Sequence, residues 1–303
     1  MSAMYHMEAT VAEPDFNLTQ ALIGQCMTQG WEELSLPTGE YLFRLHCPDQ
    51  QILDDLEQEL MAFLPEVKIQ RTEFSAADWP NWNEAWKEFF TPVDAGEFLI
   101  IPPWLTDSAQ FGTSAPSKTI IVIEPKSAFG TGHHASTVLC LEAISQLHAQ
   151  GKITPGQRFL DLGTGTGILG IASAKLGLCG LGLDIDPLAI SNALENRQIN
   201  QVEQMLEVMP GSVETVAGEK FDLILANILA NPLKEMAPAI LNLLSPGGSL
   251  ILSGLLDIQS QEVEAAYSVL GQTLRLYEKP GNSNNEPATN TWVCLCWSNV
   301  KTA

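Results

Sequence analysis

Several features that mark secreted, membrane-spanning and metal-binding proteins are missing from this sequence. The six cysteines form no CxxC pair and show no metal-ligand spacing. No apolar run reaches the roughly 18–20 residues needed to cross a bilayer, and residues 1–6 lack the basic-then-apolar pattern of a secretory signal. We therefore expect a cytoplasmic protein without a bound metal or a membrane partner, whose cysteines are small core residues.

Basic side chains are scarce, since 15 lysines and arginines stand against 36 acidic residues and give a formal net charge of −21. Such a charge repels the phosphate backbone, so we expect no direct nucleic-acid partner. Residues 1–100 hold 18 of the acidic side chains and only 4 of the basic ones. This acidic first third either keeps the protein soluble or attracts a basic macromolecule, and the composition leaves both open.

A chain of 303 residues with 45% apolar content is long enough for two domains. Between residues 19 and 70, apolar spacing predicts helices at Ala21–Gln29 and Asp54–Phe63 and a strand at Tyr41–Leu45, which make a small α/β module. Residues 78–90 are dense in aromatic side chains and predict a connecting helix. We expect a first domain, a linker helix and a large second domain at residues 1–75, 76–94 and 95–303.

Short β-like runs alternate with helical stretches from residue 155 onward. This alternation predicts an α/β fold with a doubly wound, mostly parallel sheet that two late strands extend to seven. The predicted strands are Phe159–Leu162, Gly180–Asp184, Leu206–Met209, Phe221–Ala226, Ser249–Ser253, Thr273–Tyr277 and Trp292–Trp297. The predicted helices lie near Gly167–Leu176, Pro187–Asn200, Pro232–Leu243 and Ile258–Leu270.

A glycine-rich turn, DLGTGTG at residues 161–167, follows the first of these strands. Its glycines, Gly163 and Gly165 among them, let a ligand approach the main chain. The dinucleotide spacing G-x-G-x-x-G is absent, because its third glycine would fall at Ile168. Asp161 at the strand tip repels a pyrophosphate but suits an ammonium group, directly or through water. The turn therefore favours S-adenosylmethionine as cofactor, and a tight turn without a ligand is the alternative.

Two further residues are expected at the same cofactor. Asp184 lies 23 residues after Asp161, at the end of the second strand, where its carboxylate can accept hydrogen bonds from both ribose hydroxyls. Ser212 follows the third strand, where such sites usually contact the adenine ring. Asp186, just before Pro187, is interpreted as a helix N-cap.

The fourth predicted strand runs into NILANP at residues 227–232, and in this fold its tip faces the sulfonium methyl. Methyl transfer is an in-line displacement by a neutral lone pair, so an amine must lose its proton and be aimed. Oxygen atoms of Asn227 and Ile228 can accept its N–H bonds, which is a positioning effect rather than acid–base catalysis. Alternatively, Asn227 only satisfies backbone groups at a strand-to-helix turn.

A second glycine loop, FGTGHHAST at residues 129–137, precedes a helix predicted at Val138–Leu147. The loop can fold over the cofactor and exclude water, with His134 or Thr137 in contact with it. Two adjacent histidines point in different directions on a regular element, so we expect no metal site here. The alternative is that the loop only caps the helix.

These motifs together resemble those of PrmA, a family of bacterial ribosomal-protein methyltransferases that modifies the large-subunit protein L11. The G-x-G-x-G turn is shared by many methyltransferases, whereas FGTG and NILA together are more specific. The resemblance covers roughly residues 78–303. It rests on Asp78–Trp79 with Trp86 and Phe89–Phe90, on residues 128–132 with His134, and on residues 161–170, 182–187 and 226–230 with Pro232–Leu233.

The resemblance implies methyl transfer from S-adenosylmethionine to lysine side chains and an amino-terminal α-amine of a basic ribosomal protein that is free of the ribosome. It also implies a small amino-terminal domain that grips the substrate and a flexible linker that repositions it. The loop from Thr131 to Thr137 would close on the cofactor, Asp184 would hold the ribose, and Asn227 would face the amine. We expect the enzyme to act as a monomer.

Other functions fit the sequence less well. Another basic protein can replace the ribosomal substrate without changing the chemistry. A non-catalytic binding module would have lost Asp161, the glycines or Asn227, all of which are present. An oxidoreductase needs the missing G-x-G-x-x-G, and a nucleic-acid methyltransferase normally has a basic groove, against which the net charge of −21 argues.

Overall fold

The computed structural model of this chain describes residues 4–26, 31–36, 38–47, 49–74, 91–106, 118–125, 132–277, 291–298 and 300. The chain divides into two compact units, Met1–Phe90 and Thr91–Ala303, and each has an apolar core. Most of the predicted linker helix, at residues 76–90, lies outside the described residues, and Val93 already belongs to a strand. The expected domain boundaries therefore stay predictions.

The first unit is an antiparallel sheet in the order β2-β3-β1-β4 with two helices packed on it. Its core includes Met7, Phe43 and Leu56, which are fully buried. Asp49 caps the second helix by accepting a 2.9 Å hydrogen bond from the Gln51 backbone N–H. The elements are β1 (Met4–Ala12), α1 (Phe16–Cys26), β2 (Glu32–Ser35), β3 (Glu40–Cys47), α2 (Gln50–Phe63) and β4 (Lys68–Phe74).

The second unit begins with a small sheet that the sequence did not predict. Its strands are β5 (Val93–Ala95), β6 (Phe98–Ile101) and β7 (Thr119–Val122), in the order β5-β6-β7, with β6 parallel to β7. The helix α3 (Ala135–Ala149) follows, three residues earlier at its start than its apolar pattern alone indicated. This small sheet lies directly before the part of the chain that forms the large sheet.

The large sheet has seven strands in the order β10-β9-β8-β11-β12-β14-β13. Strands β8 to β12 are parallel, and β14 runs antiparallel to both of its neighbours. This is the expected seven-stranded, doubly wound α/β fold. The elements are β8 (Arg158–Leu162), α4 (Ile168–Lys175), β9 (Cys179–Asp184), α5 (Pro187–Ile199), β10 (Leu206–Pro210), β11 (Phe221–Asn227), α6 (Ala230–Glu235), α7 (Ala237–Leu243), β12 (Leu244–Leu256), α8 (Asp257–Ala266), β13 (Leu274–Tyr277) and β14 (Trp292–Trp297).

Both helices of the first unit begin earlier than predicted, α1 at Phe16 and α2 at Gln50. In the part of the chain that forms the large sheet, two further predicted helices differ in detail from those observed. The single helix expected at Pro232–Leu243 is two helices that meet at Met236, because Pro238 has no N–H to continue the first one. The helix expected at Ile258–Leu270 ends at Ala266 and is followed by a short 3-10 turn, Ser268–Leu270. Neither difference changes the order of the strands.

The order of strands reverses beside β8, because β9 lies on one side of it and β11 on the other. In open α/β sheets the ligand binds at such a point, outside the carboxyl ends of the strands. Asp161 lies opposite Gly182 of β9 and Leu225 of β11 at this end of the sheet. Among the described residues, no helix is both long and apolar enough to cross a membrane.

Candidate active site

A cavity of about 680 Å³ opens where strands β8, β9 and β11 end. Its volume is typical of a site for a small cofactor. Thr137 and Asp161 lie behind its wall and are buried, and Thr131 lies outside the described residues. Most of the residues predicted from the sequence line it together: His134, Gly163, Gly165, Asp184, Ser212, Asn227 and Ile228.

The turn between β8 and α4 forms one wall of the cavity with bare main chain. Gly163, Gly165 and Gly167 have φ angles of +70°, +54° and +85°, which other residues rarely adopt. A Cβ atom at Gly163 would come within 2.4 Å of the Ile228 Cγ2 atom. The turn therefore needs glycine both for its backbone angles and for the close approach of Ile228.

Asp184 is held in place by two backbone donors. Its Oδ2 atom accepts a 2.9 Å hydrogen bond from the Gly165 N–H, and its Oδ1 atom accepts a 3.0 Å bond from the Asp186 N–H. Each carboxylate oxygen keeps a lone pair that can face the cavity. Asp186 caps α5 through a 2.9 Å bond from the Leu188 N–H, as its position before Pro187 suggested.

Asp161 lies behind the turn and is 1% exposed. Its Oδ2 atom accepts hydrogen bonds from the Thr164 hydroxyl, at 2.7 Å, and from the Gly170 N–H, at 3.0 Å. Its Oδ1 atom is buried without a hydrogen-bond partner. Burial raises the pKa of Asp161 to about 6, the charge of Asp184 adds to the rise, and the two hydrogen bonds oppose it. A buried carboxylate of this kind is stabilised by a cation brought near the turn.

The wall opposite the glycine turn contains the side-chain amide of Asn227, whose oxygen has no hydrogen-bond partner in the protein. The Asn227 Nδ2 group donates a 3.2 Å hydrogen bond to the Thr137 hydroxyl, while the Asn227 Oδ1 atom is buried and has no partner. Thr137 thus fixes the orientation of the amide and leaves its oxygen without a partner in the protein. The oxygen is a hydrogen-bond acceptor with nothing in the protein to accept from, which is costly unless a ligand fills it.

His134 caps a helix and also lines the cavity. Its Nδ1 atom accepts a 3.3 Å hydrogen bond from the Ser136 N–H and so caps α3, and its ring lines the cavity. The ring packs edge-to-face against Trp292, with 4.5 Å between the centroids. His133 instead is exposed, with its Nε2 atom 3.0 Å from the Thr91 carbonyl oxygen.

Ile228 is enclosed between two glycines. Its side chain packs on Gly163, and its peptide lies against Gly254, where a Cβ atom would be 2.4 Å from the Ile228 carbonyl oxygen. The Ile228 N–H donates to the Ser253 carbonyl at 3.2 Å. The position of Ile228 is therefore set by the cofactor turn on one side and by β12 on the other.

Several lining residues were not predicted from the sequence, among them Ile185, Met236, Gly254 and Trp292. Ile185 is 81% exposed immediately after Asp184, and an exposed apolar residue at a strand end was the signal that could have indicated it. Gly254 follows the predicted strand Ser249–Ser253. Trp292 had no local signal, because its place depends on the insertion of β14 between β12 and β13.

The residues present fit S-adenosylmethionine. Asp184 offers oxygens to ribose hydroxyls, Ile185 offers an apolar surface to a flat ring, and the buried charge of Asp161 favours an ammonium group on the turn. The glycines admit the ligand to the main chain without a Cβ atom in the way. Together with the seven-stranded sheet, this site defines a class I methyltransferase that uses S-adenosylmethionine.

Comparison with known proteins names the family. The sequence profile of PrmA, the ribosomal protein L11 methyltransferase family, matches residues 28–296. The chain is 38% identical to the ribosomal protein L11 methyltransferase of Syntrophotalea carbinolica, over 78% of this chain and 73% of that protein. It is 35% identical to that of Desulfitobacterium hafniense, over 82% and 76%.

A solved structure, the ribosomal protein L11 methylase of Lactobacillus delbrueckii subsp. bulgaricus, matches with a TM-score of 0.56 at 28% identity. The match covers 70% of this chain and all of that one. The chain therefore belongs to the ribosomal protein L11 methyltransferase family and is a protein methyltransferase that depends on S-adenosylmethionine. The family resemblance and the cofactor predicted from the sequence are confirmed.

Replacing Gly254 by alanine should slow methyl transfer, because the added Cβ atom would displace the Ile228 peptide. Gly247→Ala is the matched control, since Gly247 lies on the same strand with a φ of +81° against +84°, and a Cβ atom added there would have no neighbour within 4 Å. Both variants should lose about 1–2 kcal/mol of stability through backbone strain, and Gly254→Ala should lose more, because its Cβ atom also meets the Ile228 backbone. Steady-state assays should find kcat reduced by about tenfold or more in Gly254→Ala only. Equal kcat in the two variants would contradict this role.

Asp161→Asn should change how stability depends on pH. Because the folded-state pKa of Asp161 is raised from 3.8 to about 6, its proton stabilises the fold fully below pH 3.8, and this contribution is lost as the pH rises through 6. Between pH 5 and pH 7.5 the unfolding free energy of the wild type should fall by about 1–1.5 kcal/mol relative to the variant. Denaturant unfolding without cofactor measures this, and parallel curves would contradict the raised pKa.

Proposed function

We propose that this chain transfers methyl groups from S-adenosylmethionine to lysine side-chain amines and to the amino-terminal amine of ribosomal protein L11. The observation that carries the proposal is the Asn227 Oδ1 atom, a buried acceptor without a partner at the end of β11. An amine N–H is one donor that can satisfy such an acceptor. The names of the family and of its members supply L11 as the substrate.

The cofactor is held by residues on three sides of the cavity. When bound, S-adenosylmethionine supplies an electrophilic methyl group. Asp184 would accept hydrogen bonds from the ribose, Ser212 would lie beside the adenine, and the turn with its buried Asp161 would receive the methionine end. The full proposed set is Thr131, His134, Thr137, Asp161, Gly163, Gly165, Asp184, Ser212 and Asn227, of which Thr131 lies outside the described residues.

Asn227 and Ile228 position the nucleophile. The Asn227 Oδ1 atom and the Ile228 carbonyl oxygen accept the N–H bonds of a neutral amine and point its lone pair toward the cofactor turn. The ammonium form of the substrate group loses one proton to solvent and becomes the neutral amine. Its N–C bond to the methyl group would form as the bond between sulfur and methyl breaks, S-adenosylhomocysteine would leave, and a second proton would be lost from the methylated product. The residues supply orientation rather than a proton acceptor, and orientation alone can contribute several kcal/mol.

Apolar side chains at the cavity suit the stem of a lysine. Leu229 is 73% exposed directly after Ile228, and Trp292 lines the cavity beside His134. Their apolar surfaces can cover the four methylene groups of the side chain and leave its amine at Asn227. A lysine, an extended chain with an amine at its end, fits this arrangement well.

The acidic first unit supports a role in substrate recognition. Arg71 pairs with Asp54 at 2.5 Å and with Glu57 at 3.1 Å. Two other acidic side chains of α2, Asp55 and Glu59, are exposed. A negative surface attracts a basic ribosomal protein and repels RNA. We therefore propose residues 1–75 as the recognition domain, 76–94 as linker and 95–303 as methyltransferase domain. The enzyme would act as a cytoplasmic monomer on L11 free of the ribosome.

Incubation with methyl-labelled cofactor and ribosomal proteins from a strain that lacks this activity should label L11 alone. Hydrolysis of the product should yield methylated lysine and a methylated terminal residue. A shortened chain without residues 1–75 should bind S-adenosylhomocysteine normally, which shows that its second unit is folded, yet label L11 poorly. Label in another protein would contradict the proposed substrate, and normal labelling by the shortened chain would contradict the recognition role.

A further inference from the structure

Three asparagines lie four residues apart on one face of α5 and its carboxyl end. Asn192, Asn196 and Asn200 are 3%, 0% and 6% exposed. Burial of three amides on one helix face is costly unless each finds hydrogen-bond partners. Partners for these amides lie on the main chain of residues 122–124, which is far away in the sequence, although the Asn192 Oδ1 atom is buried without a partner.

The asparagines pair with this segment as a neighbouring strand would. Asn200 accepts from the Val122 N–H at 2.9 Å and donates to the Val122 carbonyl at 2.6 Å. Asn196 accepts from the Glu124 N–H at 2.8 Å, and Asn192 donates to the Glu124 carbonyl at 3.4 Å. Four residues of helix rise about 6 Å, and two residues of strand rise about 6.6 Å. The two spacings match, so a helix can cover the edge of a strand.

Asn196 makes a second contact, with the cofactor turn. Its Nδ2 group donates a 2.9 Å hydrogen bond to the Thr166 carbonyl. In a regular helix start that carbonyl would accept from the Gly170 N–H, but the Gly170 N–H donates to Asp161 instead. The turn is thus held by Asp161 from β8 and by Asn196 from α5.

The segment paired by the asparagines is connected to the other wall of the cavity. Val122 ends β7 and pairs with Ile101 of β6. Ile100 of β6 packs against Gly132, where a Cβ atom would be 3.1 Å from its Cγ2 atom. Gly132 lies two residues before the cavity-lining His134. A series of hydrogen bonds and packing contacts therefore connects the glycine turn, through Asn196, to the wall of the cavity that contains His134.

We propose that Asn196 is a positioning residue for the cofactor. Its side chain links the small sheet β5-β6-β7 to the glycine turn, and it thereby sets the distance between the cavity wall formed by the turn and the wall that contains His134. Asn196 does not line the cavity and touches no reacting atom. Its effect on the cofactor passes through the Thr166 carbonyl and the Glu124 N–H. Asn200 supports the same strand edge but makes no contact with the turn.

The difference between Asn196 and Asn200 gives a matched pair of variants. Asn196→Asp and Asn200→Asp each place a carboxylate on the same buried helix face and keep the acceptor for one backbone N–H. Only Asn196→Asp removes the donor to the cofactor turn. We expect thermal unfolding to show similar losses of stability. Calorimetry should find the affinity for S-adenosylhomocysteine reduced by about tenfold or more in Asn196→Asp and by less than about threefold in Asn200→Asp.

Equal affinities in the two variants would overturn the proposal. Hydrogen exchange on the wild-type chain tests it without any substitution, even if a variant fails to fold. Saturation with S-adenosylhomocysteine should slow exchange at the Glu124 N–H as well as at the Gly165 N–H, with the amides of β3 as the unaffected reference. Protection of Gly165 without any change at Glu124 would also overturn it.

Discussion

The contact between the Ile228 side chain and the bare main chain of Gly163 links the two halves of the active site. It leaves no room for a Cβ atom at Gly163. The turn that receives the cofactor therefore also determines where Ile228 and its neighbour Asn227 lie. On its other side Ile228 is confined by Gly254. The distance from the turn to the Asn227 amide is therefore fixed by packing rather than by a flexible side chain.

The site contains buried polar atoms that have no hydrogen-bond partner in the protein. The Asp161 Oδ1 and Asn227 Oδ1 atoms are buried without partners, on opposite sides of the cavity. Each lowers the stability of the protein without ligand. In the proposed reaction Asp161 corresponds to the ammonium group of the cofactor and Asn227 to the amine of the substrate. The same arrangement that weakens the fold at neutral pH thereby favours binding of both reactants.

Local sequence signals were sufficient for the cofactor half of the site. The turn, Asp184 and the seven strands are each encoded by a short stretch of chain, through glycine spacing, strand ends and alternation of strand with helix. The strand β1 was missed because buried Met7, Ala9 and Val11 alternate among residues that are mostly weak β formers. The break between α6 and α7 was missed although Pro238 carries the signal.

Contacts between segments that are far apart in the sequence could not be predicted from such local signals. Thr137 and Asn227 are 90 residues apart, and Asn200 and Val122 are 78 apart. Trp292 reaches the cavity only because β14 inserts antiparallel into the sheet. No short stretch of sequence predicts these pairings, since they follow from the order of the strands. The substrate likewise came from family resemblance rather than from any single residue.

We propose that Asn227 orients the amine through its Oδ1 atom while Thr137 orients Asn227. Steady-state kinetics with L11, combined with calorimetry of S-adenosylhomocysteine, tests it most directly on Asn227→Ala and Thr137→Val. We predict that kcat falls by about a hundredfold in Asn227→Ala and by about tenfold in Thr137→Val, with affinity for S-adenosylhomocysteine changed by less than about tenfold in both. A kcat within threefold of the wild type in Asn227→Ala, or a loss of affinity as large as the loss of kcat, would contradict the claim.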